Sequence, residues 1–344
     1  MGRSGWGRLL FLVALPLFFA GMAAVWLWLY AVAPGGDRER LLVYIPPGSS
    51  FSEVEERLVD SGVLRRDGRF TLLALLSGLR QKLKAGEYEV PAQASPFEIL
   101  QLLASGKTHL RRVTVPEGAN LYQVAALLAR QQLVAEEEFI DFATDPQTPL
   151  RYGLDRPLHP ASPPHPAPLT LEGWLFPDTY LFTRGQSYEE ITGVLIRRAR
   201  QVLQELLNEE GHDSGLNELE IMTLASIVEK ETGLAAERGR IAGVFFNRLA
   251  RGMRLQTDPT VIYGRKAFGL SITREDLQTP TPYNTYLISG LPPGPIANPG
   301  REAIAAVLRP EESDYLYFVS RNDGSHRFST TLREHNRAVK KYQR

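Results

Sequence analysis

Placed at about 100° per residue, the segment Leu224-Ala-Ser-Ile-Val-Glu-Lys-Glu-Thr232 forms an amphipathic helix. Leu224, Ile227 and Val228 share one arc, and Glu231 falls inside that arc. Glu229 projects to roughly the opposite side, near Ala225 and Met222, where the pattern places water. The same periodicity predicts a long helix from about Tyr188 to Leu207 and another from about Ala236 to Arg251. Tyr315-Leu-Tyr-Phe-Val319 and His326-Arg-Phe-Ser329, joined by a turn at Asn322-Asp-Gly324, predict a hairpin. A last helix follows, carrying Glu334, His335 and Asn336. At the other end, Leu9 to Val32 contains no charged residue and only Pro16 and Gly21 as interruptions. At ~1.5 Å per residue this stretch is long enough to cross a ~30 Å hydrocarbon layer.

Two further segments share a pattern. Val43-Tyr-Ile-Pro-Pro-Gly48, followed by Phe51, Val54 and Leu58, matches Val113-Thr-Val-Pro-Glu-Gly118, followed by Leu121, Val124 and Leu128. Each reads as a short strand, a Pro-x-Gly turn and a helix, with a second short helix starting near Phe70 or Phe139. The first copy closes on Gly86-Glu-Tyr-Glu-Val90 as a returning strand, giving a β-α-α-β unit. Such a unit resembles a LysM domain, a module that binds N-acetylglucosamine polymers; duplication of a small packing unit accounts for the pattern equally well. Residues 145–169 are rich in proline and hold His159 and His165. With no carboxylate at metal-ligand spacing, this stretch reads as a polyproline-type linker and no metal site is expected.

Composition narrows the possibilities. The 344 residues carry 39 Lys and Arg against 39 Asp and Glu, so no net field favours nucleic acid. Cysteine is absent, which excludes disulfides and thiolate metal centres. The apolar stretch is too long for a secretory h-region. Ala31-Val-Ala33 is cleavage-site-like, but Pro34 directly after it opposes processing, so an uncleaved anchor is expected. Arg3 and Arg8 precede the span, whereas Asp37, Arg38, Glu39 and Arg40 cancel behind it. The positive-inside rule then puts the N-terminus in the cytoplasm and the remainder outside, with Trp26, Trp28 and Tyr30 as an outer aromatic belt.

Candidate chemistry centres on Glu231. A carboxyl taken into an apolar face costs several kcal/mol unless it keeps a proton or finds partners, and a glutamic acid protonated near neutrality is what a general acid requires. The alternative for a Glu on an apolar face is an ion pair with an arginine. Glu172-Gly-Trp-Leu-Phe-Pro-Asp-Thr-Tyr180 joins a carboxylate to aromatics suited either to a core or to sugar faces. Pro259 is expected to hold Gln256, Thr257 and Asp258 on a loop, and Pro282-Tyr-Asn-Thr-Tyr286 and Gly290-Leu-Pro-Pro-Gly294 read as two more stiffened loops.

Taken together, Glu172-Gly-Trp-Leu-Phe-Pro-Asp-Thr-Tyr180, Ala225-Ser-Ile-Val-Glu-Lys-Glu-Thr232, Leu255-Gln-Thr-Asp-Pro-Thr-Val-Ile-Tyr-Gly264, Tyr283-Asn-Thr-Tyr286, Gly290-Leu-Pro-Pro-Gly294 and His335-Asn336 resemble the motifs of the MltG-type endolytic murein transglycosylases, the YceG-like family. The resemblance runs from the anchor to the last helix. It implies that Glu231 is the catalytic acid, and that the bond between N-acetylmuramic acid and N-acetylglucosamine is cut without water, leaving a 1,6-anhydro end. It also implies no cofactor, peptidoglycan glycan strands as substrate, an inner-membrane location, and association with peptidoglycan synthases, the penicillin-binding proteins. Gln256, Thr257, Asp258, Tyr283, Asn284 and Thr285, with Glu172 and Glu229, are the candidates for lining a glycan groove; loop-internal hydrogen bonding is the competing role. A hydrolytic muramidase using Asp258 or Glu172 as partner carboxylate, and a non-catalytic glycan-binding scaffold, are the alternatives.

The expected fold class is α+β. A cytoplasmic tail (1–8) precedes the transmembrane helix (9–32) and a linker (33–40). A LysM-like module (41–110) and a second repeat-like unit (111–144) follow. The proline-rich linker (145–169) then leads to a mixed α/β catalytic domain (170–344).

Overall fold

The computed structural model describes residues 4–35, 39–154, 169–210 and 214–343, the side chains of residues 4–11 and 210 excepted. His159 and His165 lie outside the described residues. The chain divides into two compact units, one of residues 1–111 with 181–186, the other of 112–180 with 187–344.

The first unit begins with α1 (Ser4–Val32), whose stretch Leu12–Val32 is long and apolar enough to cross a membrane. Strand β1 (Leu41–Ile45), helices α2 (Phe51–Asp60) and α3 (Arg69–Leu76) and strand β2 (Gly86–Val90) follow. The β1–β2 pairing is antiparallel, running from Leu41 opposite Val90 to Ile45 opposite Gly86, so the expected β-α-α-β unit is formed. Its helices start where the sequence supplies caps: Ser50 and Glu53 make a capping box on α2, as Ser95 and Glu98 do on α4 (Pro96–Ser105). Phe70, Leu58, Tyr88, Ile99, Leu100 and Leu103 fill the core. Leu27 and Ala31 of α1 are buried in that same core.

In the second unit β3 (Arg111–Thr114) leads to α5 (Leu121–Arg130), α6 (Glu136–Thr144) and α7 (Gln147–Arg151). The strand that pairs with β3 is β4 (Thr179–Phe182), the hydroxyls of Thr114 and Thr179 lying 2.9 Å apart. The second copy of the repeat thus closes on a strand delivered after a long intervening stretch, where the sequence pattern assigned none.

The rest is helical apart from one hairpin. Helices α8 (Tyr188–Glu210), α9 (Glu218–Glu231), α10 (Ala235–Ala250), α11 (Asp258–Gly264), α12 (Arg274–Gln278) and α13 (Arg301–Leu308) precede the hairpin of β5 (Tyr317–Ser320) and β6 (His326–Ser329). Helix α14 (Leu332–Tyr342) packs on that hairpin.

Helix α9 sits against α10, α11 and α13 and is buried on every side from Ile221 to Val228, so Met222 and Ala225 face protein where the sequence pattern placed water. A helix apolar all round is one enclosed by its fold. Its polar residues are satisfied locally: the Thr223 hydroxyl donates to the Leu219 carbonyl at 2.7 Å, and that of Ser226 to the Thr223 carbonyl at 2.7 Å.

The stretch after Leu255 also departs from expectation. Gln256-Thr-Asp-Pro is not a free loop but the entry to α11, with Thr257 at the N-cap and Pro259 in the first turn. Proline is tolerated there because its missing N–H would have no helical partner.

Candidate active site

Glu231 is the last residue of α9, and its carboxyl meets the N-terminus of α11, where the Thr257 hydroxyl donates to Oε1. Thr257 is 2 % exposed and is itself fixed from two sides. Its N–H donates to Thr285 Oγ1 at 3.0 Å, and its carbonyl accepts the Thr260 hydroxyl at 2.8 Å. Since the Thr260 proton is committed there, the 2.9 Å contact between Thr260 and Thr285 has Thr285 as donor. Gln256, exposed and with φ +50, turns the chain into this cap while its N–H donates to the Thr285 carbonyl at 3.1 Å. A non-glycine residue in that region stores about 1–3 kcal/mol of strain, which these bonds hold in place.

Burial of the Glu231 carboxyl pushes its pKa up to about 7. The Thr257 bond opposes the shift, the charge of Asp258 adds to it, and the guanidinium of Arg248 draws it back down. Arg248 is 7 % exposed. It donates to the carbonyls of Leu316 at 2.7 Å and Leu255 at 2.6 Å, which ties α10 to the residue just ahead of β5 and to the residue just ahead of Gln256. Asp258 is exposed and accepts the Tyr286 hydroxyl at 2.6 Å. Burial raises the Tyr286 phenol well above its ordinary range, so it remains a donor.

Glu172 lies at the other end of α11. It is 1 % exposed, and its oxygens accept the Leu121 N–H at 3.1 and 3.0 Å and the Gly173 N–H at 3.3 Å. Burial lifts its pKa to about 7 against these bonds and against a hydrogen bond with Tyr263. Tyr263 closes α11 and packs on Tyr283, ring centroids 4.8 Å apart. Asn284 has no exposed surface. Its amide donates to the carbonyls of Leu277 at 3.1 Å and Thr279 at 2.8 Å, and its Oδ1 accepts the Tyr286 N–H at 3.0 Å. Asn284 and Thr285 therefore brace their loop and Thr257 from within.

Glu229 stands apart from this constellation. The sequence pattern gave it to water, but its side chain is 7 % exposed, ion-paired with Arg238 at 3.4 Å, and accepts the Gly300 N–H at 3.0 Å. Between Ile221 and Val228 helix α9 has no wet side, and the arginine-paired role foreseen for a buried glutamate falls to Glu229. The 290–300 loop docks onto α9 through this bond and through the Ile296 N–H, which donates to Ser226 Oγ at 3.0 Å.

The structure thus brings Glu231, Thr257, Asp258 and Thr285 together and places Glu172 and Tyr283 at the far end of α11. It adds Arg248 and Tyr286, which sequence reasoning did not single out. Tyr286 closes the Tyr-Asn-Thr-Tyr run, where its identity was the available signal; Arg248 reads in sequence only as a basic residue in the last turn of a helix. Among the described residues no group of His, Cys, Asp and Glu has the arrangement of a metal site.

Both raised carboxyls link folding to pH. Between the ordinary 4.5 and about 7 the folded chain keeps protons that the unfolded chain has lost. This stability is therefore complete below pH 4.5 and is lost as pH rises through 7, by on the order of 3 kcal/mol per group. Urea unfolding of the detergent-solubilised chain is expected to show that decline between pH 5 and 8, with Glu231→Gln and Glu172→Gln each removing part of the slope. A slope unchanged in both variants would refute this.

Sequence and fold place the chain among known proteins. The model of the YceG-like family matches residues 43–341, and the chain belongs to that family. It is 34% identical over 308 residues to an endolytic murein transglycosylase of Bacillus subtilis (strain 168), covering 87% of this chain and 84% of that protein. An endolytic murein transglycosylase of Streptococcus pneumoniae (strain ATCC BAA-255 / R6) is 30% identical over 329 residues, spanning 88% of this chain and 58% of that longer protein. The crystal structure of a YceG-like protein from Listeria monocytogenes superposes with a TM-score of 0.58 at 35% identity, covering 88% of this chain and 99% of that one.

Proposed function

We propose that this protein is an endolytic murein transglycosylase with Glu231 as its single catalytic acid and base. The observation that carries the reading is the half-buried Glu231 carboxyl at the end of α9, held at Oε1 by the Thr257 hydroxyl, with its pKa raised to about 7 chiefly by desolvation. The Thr257 hydroxyl donates a hydrogen bond to Oε1, which leaves Oε2 to hold the carboxyl proton. Glu231 passes that proton to the oxygen bridging N-acetylmuramic acid and N-acetylglucosamine as the bond to C1 breaks. The carboxylate then takes the proton of the muramoyl C6 hydroxyl as that oxygen closes on C1. The products are a 1,6-anhydromuramoyl end and a free 4-hydroxyl, and Glu231 regains its starting state. A pKa near the working pH suits a group that must both give and receive a proton.

A water-using muramidase needs a second carboxylate placed to hold water or attack C1. Glu172 is unsuited, since its oxygens are enclosed and engaged by backbone N–H groups. Asp258, Tyr286 and Gln256 are the exposed or half-exposed groups around Glu231 and are assigned to the glycan. Helix α1 is assigned as a single-pass anchor in the bacterial inner membrane, N-terminus in the cytoplasm, with residues 170–344 carrying the chemistry outside. The units at 41–110 and 111–144 are assigned as LysM-like glycan holders. Nascent strands are the assigned substrate and the synthases that make them the assigned partners. Mass spectrometry of intact glycan strands digested by the purified chain tests the central claim. Anhydro-ended internal fragments are expected; reducing muramic acid ends would replace this reading with hydrolysis.

A further inference from the structure

The last turns of α1 are not a free stalk. Leu27 and Ala31 are 8% and 7% exposed, buried in the core of the first unit, while Trp26 and Trp28 stay 53% and 62% exposed. Beside them is a cavity of about 560 Å³ lined by, among others, Trp26, Leu29, Tyr30, Arg65 and Arg69. The Arg69 guanidinium lies 4.3 Å from the Tyr30 ring centroid and 5.6 Å from that of Trp26. The buried Tyr30 hydroxyl has no hydrogen-bond partner among the described residues. Trp26 and Leu29 also line an apolar groove along α1 with Phe18, Met22 and Val25, so the cavity that reaches Arg69, the first residue of α3, adjoins an apolar surface from the middle of the span.

Helix α3 is apolar on two faces. Phe70, Leu73 and Ala74 enter the core, whereas Leu72, Leu75 and Leu76, one helical face by their i, i+3, i+4 spacing, are 40%, 57% and 69% exposed. An exposed leucine face beside an anchor needs a cover.

We propose that the α3 face formed by Leu72, Leu75 and Leu76 docks on the lipid bilayer from which α1 emerges, with Arg65 and Arg69 at the level of the lipid phosphates. The bilayer is the occupant because α3 starts where the membrane helix ends. Trp26, Trp28 and Tyr30 mark that end as the headgroup level, where tryptophan and tyrosine concentrate. An apolar helix face flanked by arginines is the composition of an element lying in the interface; the Arg69 guanidinium is ion-paired with Asp67, so Arg65 is the guanidinium offered to phosphate oxygens. The first unit is then held against the membrane by two contacts, and its orientation is fixed instead of swinging on α1. The proposal rests on the membrane-anchor reading of α1.

The chain contains no cysteine, so single-cysteine variants place one fluorophore each. Full-length L75C, L17C and D323C, labelled and reconstituted into phosphatidylethanolamine and phosphatidylglycerol vesicles, are to be compared with and without doxyl-labelled lipids. Quenching by the lipid at positions 17 and 75, about fivefold above that at the exposed hairpin residue 323, is expected for buried apolar sites. Iodide in the water should quench the label at 323 and spare the one at 75. Quenching at 75 by iodide and not by lipid overturns the proposal, and so does protection from both, which would mean that protein covers the face. No lipid quenching at 17 would sink the anchor reading itself, whereas quenching at 17 without 75 sinks the docking alone.

Discussion

Glu231→Gln is expected to lower glycan cleavage by about 10²–10⁴-fold, the usual contribution of a general acid, while the fold persists. Glutamine keeps the size of the side chain and an oxygen for the Thr257 hydroxyl, but has no proton to give and no carboxylate to take one back. Above pH 7 the variant should be as stable as the parent or more so, since no charge is then held in the interior. Glu229→Ala should behave differently. Its carboxylate pairs with Arg238, which is 8% exposed, and holds the Gly300 N–H at the start of α13. Losing one member of such a buried pair costs about 3–5 kcal/mol, so the defect should appear in urea unfolding. Release of anhydro-ended fragments, followed by mass spectrometry on both variants, separates the roles. Full cleavage by Glu231→Gln alongside a folded but inactive Glu229→Ala would reverse the assignment.

Arg248→Met should cost about 2–6 kcal/mol of stability, from two buried carbonyls left without their donor, and also alter the pH profile. The guanidinium serves the carbonyls of Leu316 and Leu255, and buried acceptors left without a donor cost about 1–3 kcal/mol each. It is also the cation that draws the Glu231 pKa down, so without it the carboxyl should hold its proton to higher pH. The alkaline limb of the kcat profile then moves upward. Arg248→Lys keeps the charge but loses the planar fork, so it should lose stability with the limb little moved. A limb identical in the Met variant and the parent would remove Arg248 from the electrostatics of the site and leave it a purely structural bracket.

Periodicity located Glu231 because a carboxylate among Leu224, Ile227 and Val228 is visible as a break in pattern. It misplaced Glu229 for a physical reason: a helix enclosed on all sides has no polar face, and Met222 and Ala225 carry no mark of which neighbour covers them. Capping residues were readable in principle, since Asn217 with Glu220 and Thr331 with Glu334 form local boxes that depend on short spacing alone. Pairings across distance were not. Nothing near Val113 says that its strand partner waits at Thr179, nor near Asn298 that its amide will bridge the Ala119 carbonyl and the Leu175 N–H. Thr257 and Asp258 were recognised as polar groups next to a proline. That the proline opens a helix depends on Thr285 and Gln256 bracing the turn, which only tertiary contact supplies.

Helix α11 has seven residues, far fewer than a helix needs to persist alone in water. Its shape is therefore borrowed from what grips its two ends, the Glu231 carboxyl through Thr257 and the Glu172 carboxyl through Tyr263. A segment too short to hold its own shape is thus pinned at both ends by carboxyls from distant parts of the sequence, and removing either anchor leaves it only one fixed end.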